Sequence, residues 1–161
     1  MRQVALYETT TLDEVWTLIG GLGSRSLVFD VEPLVAIWDT DTAALDAGLA
    51  ETLRRLEHLP DREVVLFSTN SARRPTALPG LPDTRIGYRS SADKPLRVNE
   101  YRDLPRPGLV VGDQLATDGA LAWRLGFDFV HYQPPRDRVP VGPRMLMALG
   151  ELLRPLLFRA P

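Results

Sequence analysis

Cysteine is absent from the 161 residues. That excludes a disulfide scaffold, a thiol nucleophile and a thiolate metal site, and it fits a reducing compartment. Histidine occurs only at His58 and His131, too few for an imidazole-based metal cage. Neither sign of charge dominates: 19 basic and 21 acidic side chains leave a net charge of −2. A dedicated nucleic-acid binder carries a marked basic surplus, so nucleic acid is not expected as the main partner. No apolar run reaches the ~18 residues of a membrane span. The stretch beginning Met1-Arg2-Gln3-Val4 lacks the basic start and apolar core of an export signal. The expectation is a cytoplasmic protein. Lysine is the scarcest cation, because 18 of the 19 basic residues are arginine and the sole lysine is Lys94. An ammonium is a compact point charge where a guanidinium is a planar fork, which marks position 94 as a candidate for a charge-specific task.

What is present suffices for one domain over residues 1–161. With 44% hydrophobic residues, a chain of this size buries roughly 70% of its unfolded surface in a single core. Short, mostly apolar runs at Leu27–Val31, Glu63–Phe67, Gly108–Val111 and Phe127–His131 predict strands buried on both faces. Thr84–Tyr88 is a weaker candidate. Leu45, Leu49, Leu53, Leu56 and Leu59 form the stripe of an amphipathic helix over Thr42–Leu59, capped within Asp39–Thr42 and ended by Pro60. Further helices are expected at Leu12–Ile19 and at Asp118–Leu125, the latter with Thr117 as N-cap and Gly126 as stop. Strands alternating with helices predict an α/β fold, a Rossmann-like three-layer sandwich around a mostly parallel sheet. Ser71–Arg106 is rich in proline and reads as loops. The tail Arg144–Phe158 places Met145, Leu149, Leu152, Leu153, Leu156 and Leu157 on one helical face, expected to cover the sheet rather than meet a membrane surface or protein partner.

Ligands of open parallel sheets gather at the carboxyl ends of the strands. Polar residues follow three of the predicted strands: Asp30-Val31-Glu32, Ser68-Thr69-Asn70 and Gly112-Asp113-Gln114, with Asp118 five residues beyond Asp113. A carboxylate beside Leu27-Val28-Phe29 is costly unless paired or ligated, and two such acids at adjacent strand ends repel each other. A divalent cation and an ammonium relieve that repulsion, and Lys94 supplies the second. Arg73-Arg74 and Arg85–Arg89 read as solvated loop charges rather than as a basic rim.

These residues resemble, in order, the motifs of the haloacid dehalogenase superfamily, in its capless phosphatase branch. The Asp-x-Asp motif corresponds to Asp30-Val31-Glu32, the hydroxyl motif to Ser68, the lysine motif to Lys94, and the last acidic motif to Gly112-Asp113 with Asp118. The stretch Val110–Gln114 with Thr117-Asp118 and Gly126 looks most like the small YqeG-type subgroup, related to phosphatidylglycerophosphate phosphatases. The resemblance implies attack of the Asp30 carboxylate on phosphorus, giving an aspartyl phosphate that water hydrolyses. It implies Mg²⁺ held by Asp30, Asp113, Asp118 and the backbone carbonyl of Glu32. It further implies phosphate contacts from Ser68, Thr69, Asn70 and Lys94, and acid/base work at Glu32. Neither gap between motifs has room for a cap, which implies an open site and a phosphorylated substrate that is large or lipid-linked. Glu32 and Pro33-Leu34 depart from the pattern, since the family has Asp at position 32. The extra methylene moves the carboxyl by about 1 Å, a shift that can cost ~10²-fold. Retained Mg²⁺ and phosphate affinity is therefore expected, with a catalytically impaired binding module as the alternative function. A phosphoacceptor receiver domain would also combine acids, a hydroxyl and a lysine, but there the lysine comes last.

Overall fold

The computed structural model describes residues 3–60, 62–135, 137 and 139–161, so Met1 and Arg2 lie outside it. Strand β1 (Val4–Thr9) leads into helix α1 (Leu12–Gly21), whose Thr11 and Glu14 cap its N-terminus reciprocally. Strand β2 (Ser26–Asp30), helix α2 (Thr42–Leu56), strand β3 (Val64–Ser68) and strand β4 (Arg85–Arg89) follow. Beyond a 3₁₀ turn at Val98–Tyr101 come strand β5 (Gly108–Gly112), one π-helical turn at Leu115–Gly119, helix α3 (Ala120–Leu125) and strand β6 (Asp128–Tyr132). Helix α4 (Val141–Leu157) and a two-residue strand β7 (Phe158–Arg159) end the chain.

The seven strands form one sheet in the order β4-β3-β2-β5-β6-β1-β7, with every pairing parallel. The fold is therefore α/β and Rossmann-like, with helices on both faces. Alternation along the strands separates two cores. Leu27 and Phe29 of β2 pack with Val15, Ile19, Leu45 and Leu49 of α1 and α2. Val28, one residue out of phase, packs on the other face with Leu121, Leu125 and Leu157. From β2 the chain runs outward to β3 and β4, then returns to the other side of β2 as β5. The β2/β5 boundary is thus the topological switch point, where the carboxyl ends of the strands open a crevice.

The five expected strands lie within one residue of their predicted limits, whereas β1 and β7 were not anticipated. Helix α2 ends at Leu56 rather than Leu59, although Leu59 still packs against the core. Thr117 is not an N-cap, because the segment before α3 winds as a π turn, and Gly126 closes α3 at φ 68°. The tail helix forms, but only part of its expected stripe packs: Met145, Leu149, Leu152 and Leu156 are exposed. Contact runs instead through Gly150, Leu153 and Leu157. A Cβ on Gly150 would stand 2.7 Å from Leu115 Cβ, so the missing side chain lets α4 lean on the π turn and rotates the rest of the stripe outward.

Candidate functional site

Three strand ends converge at the switch point. Asp30 closes β2 in register with Ser68 of β3, and Asp113 follows Gly112 of β5, the strand paired with β2 on its other side. Asp118 comes from the π turn. A Cβ at Gly112 would lie 2.5 Å from Asp118 Cγ, so the glycine admits this carboxylate to the site. Gly112→Ala is expected to expel Asp118 and cost about 1–3 kcal/mol through overpacking, measurable by urea unfolding.

One oxygen from each of Asp30, Asp113 and Asp118 lies within 4.8 Å of the others, and all three residues are buried. Lys94 sits among them. Its Nζ donates to Asp30 Oδ1 at 2.6 Å, to Asp118 Oδ1 at 2.6 Å and to the Ser68 carbonyl at 3.2 Å. An ammonium has three protons, so these contacts use all of its donors. Asn70 fixes the lysine from behind: its Oδ1 accepts from Lys94 N–H at 2.7 Å and its Nδ2 donates to the Lys94 carbonyl at 3.3 Å.

Burial pushes the Asp30 carboxyl well above the usual range, and the Asp118 charge adds to the effect while Lys94 opposes it. Asp113 is raised for the same leading reasons, burial and Asp118. Burial alone would lower the Lys94 ammonium, but Asp118 and Asp30 more than offset it and hold Lys94 above its ordinary value. Three carboxylates against one ammonium leave two negative charges uncompensated when all are ionised. Among the described residues, neither oxygen of the buried Asp113 carboxylate has a hydrogen-bond partner, an arrangement that costs several kcal/mol for a charged group. A hard divalent cation takes oxygen ligands of this kind, and the donor set and the orphaned carboxylate fit one. His131, beside Gly112 on β6, orients the same residue, its Nε2 lying 3.0 Å from the Asp113 carbonyl.

The Glu32 carboxylate is not part of this cluster. It accepts from Thr69 Oγ1 at 2.6 Å, Arg73 Nη1 at 3.1 Å and Ser71 Oγ at 3.4 Å. A contact from Glu32 to a cation would come from its backbone carbonyl, as the resemblance implies. Arg73 is not a solvated loop charge. Besides Glu32 it donates to the Ile37 carbonyl at 3.1 Å and to Thr40 Oγ1 at 2.8 Å, tying the loop after β2 to the loop after β3. Arg74, in contrast, donates to Ser90 Oγ at 3.0 Å on the exposed side.

Ser68 and Thr69 divide differently from expectation. The Ser68 hydroxyl is buried against Tyr101 Oη at 2.7 Å, whereas Thr69, Ser71 and Thr117 line the cleft. Ser68→Ala is expected to cost about 1–3 kcal/mol by leaving the Tyr101 hydroxyl unpaired, measurable by urea unfolding. The cleft holds about 240 Å³ and is lined by Asp30, Glu32, Thr69, Asn70, Ser71, Arg73 and Lys94, together with Trp38, Asp39, Gln114, Thr117 and Leu146. Sequence reasoning missed Ser71, Arg73 and these last five. Gln114 and Thr117 flank Asp113 and Asp118 and were within reach of it. Nothing in the sequence distinguishes Trp38, Asp39 or Leu146 as cleft residues, because loop geometry and the tilt of α4 bring them there.

No protein-family model, curated protein or solved structure matches the chain. No helix among the described residues is long and apolar enough to cross a membrane.

Proposed function

We propose that this chain is a Mg²⁺-dependent phosphomonoesterase of the haloacid dehalogenase type. The observation that carries the reading is the Asp113 carboxylate, buried beside Asp30, Asp118 and the ammonium of Lys94 with both oxygens unpartnered among the described residues. Phosphoryl transfer is mostly positioning and charge neutralisation, and this site concentrates both. Mg²⁺, held by Asp30, Asp113 and Asp118, supplies positive charge for the phosphoryl oxygens. Asp30 is the nucleophile. Its Oδ1 is held by Lys94 and by the Val31 N–H at 3.1 Å, which leaves Oδ2 to attack phosphorus. Lys94 fixes Oδ1 and offsets charge, since its own protons are all engaged by the protein. Thr69 offers a cleft-facing hydroxyl, and Asn70 positions Lys94.

Acid/base work falls to Glu32, on the cleft wall. One observation favours a second reading, that of a binding module with impaired turnover: three donors already hold the Glu32 carboxylate. Purified protein should hydrolyse p-nitrophenyl phosphate in Mg²⁺ and lose that activity in chelator. Mg²⁺ uptake by calorimetry without turnover on any phosphomonoester would favour the binding module, and neither uptake nor turnover would defeat both readings.

A further inference from the structure

Five charged side chains line the cleft, and four of them have a partner of opposite sign. Lys94 is paired with Asp30 at 2.6 Å and Arg73 with Glu32 at 3.1 Å. Asp39 remains. It is exposed and forms no ion pair among the described residues, so the free charge at the cleft mouth is negative. Beside it in the chain stands Trp38, half-buried and lining the same cleft, with Leu146 of α4 contributing an apolar wall. An indole and a free carboxylate at one mouth are the side chains that recognise an alkylammonium group, the indole through its quadrupole and the carboxylate through its charge. A second phosphate or carboxylate on the substrate would instead meet Asp39 with like charge.

Size points the same way. A cleft of about 240 Å³ falls below the ~300–1,000 Å³ of sites that enclose drug-sized ligands. It has room for a phosphate and a short leaving group.

Resting on the phosphomonoesterase reading, we infer that the leaving group is a small amino alcohol bearing a cationic ammonium, of the ethanolamine or choline type, seated between Trp38 and Asp39. The ammonium lies two carbons from the ester oxygen, so both ends of such a molecule fit one small cleft. The reaction balances as a hydrolysis. The phosphorus–oxygen ester bond breaks with its electron pair going to the alcohol oxygen, which takes a proton, and water supplies the hydroxyl that ends on phosphate.

The test compares phosphocholine with neohexyl phosphate, in which carbon replaces the nitrogen and the shape is kept. kcat/KM for phosphocholine should exceed that for the neutral isostere by roughly tenfold or more. Asp39→Asn and Trp38→Leu should each bring the ratio toward one. A second measurement needs no turnover. Choline chloride is titrated into the protein with tryptophan fluorescence as readout and neohexanol as the neutral control. Saturable quenching by choline, absent in Trp38→Phe, is expected. Mg²⁺-dependent hydrolysis of p-nitrophenyl phosphate with equal kcat/KM for the two esters would overturn this inference and leave the phosphatase reading standing. If no phosphomonoester is turned over, the phosphatase reading falls. The fluorescence titration then decides the cation site alone: quenching at Trp38 supports it, and identical traces for choline and neohexanol remove it.

Discussion

Replacing Lys94 with methionine is expected to destabilise the fold by about 3–5 kcal/mol, the cost of removing one partner from a buried ion pair. The side chain is 3% exposed and stands between Asp30 and Asp118. Its loss would leave the three carboxylates with each other and no counter-charge. The deficit should depend on pH in chelator. Burial holds Asp30 and Asp113 above their ordinary values, so the folded state keeps protons that the unfolded chain releases near pH 4. Where the folded state binds more protons, stability falls as pH rises. The variant should therefore be closest to the parent below about pH 4 and lose ground as pH climbs toward the raised folded values. The parent should show a shallower fall, because the Lys94 ammonium offsets the carboxylates. Its own raised value contributes stability that is fully present below about 10.4 and is lost only above that. Mg²⁺ should restore part of the loss, about 2.7 kcal/mol at a hundredfold excess over Kd. Adding Asp118→Asn to the Lys94→Met variant should recover stability non-additively, as expected of groups in one network. Urea unfolding across this pH range, with chelator and with Mg²⁺, reads all of these. A Lys94→Met protein as stable as its parent at neutral pH in chelator would mean that the carboxylates do not share one buried site.

The fold was legible wherever burial on both faces forced continuous apolar runs. β2, β3 and β5 occupy the centre of the sheet, and each announces itself in four or five residues. β1 was not legible because Val4–Thr9 mixes Tyr7, Glu8 and Thr9 into its second half, and its pairing with β6 depends on contacts more than a hundred residues away. The site followed the same logic. Asp30, Lys94, Asp113 and Asp118 could be named because an acid at the end of a buried strand, or a lone ammonium, is unusual in itself. That the Ser68 hydroxyl turns to Tyr101 while Thr69 stays at the cleft could not, because it depends on how the chain turns where β3 ends. Arg73 is one of 18 arginines. Only the approach of two loops separates it from those that are solvated.

Asp30→Asn is the substitution expected to matter most to chemistry, with Mg²⁺-dependent hydrolysis of p-nitrophenyl phosphate falling by roughly 10³-fold or more, as when a covalent nucleophile is removed elsewhere. The amide keeps the shape of the carboxylate and one oxygen to accept from Lys94 and the Val31 N–H, so the fold should survive and the loss should be chemical. Asn at this position cannot form an acyl phosphate. The time course separates this defect from one at Glu32. p-Nitrophenolate leaves without much help from an acid, so a parent protein that attacks well but activates water poorly should release a burst of about one equivalent per site and then turn over slowly. The burst should vanish in Asp30→Asn. Glu32→Asp should keep the burst and speed the slow phase, because general-base help is worth roughly 10²–10⁴-fold and depends on where the carboxyl stands. The shorter side chain gives up the reach to Thr69 and Arg73, so that gain should come with a loss of stability, measurable in the same urea titrations. Equal hydrolysis by the parent and the Asp30→Asn protein would exclude Asp30 as the attacking group.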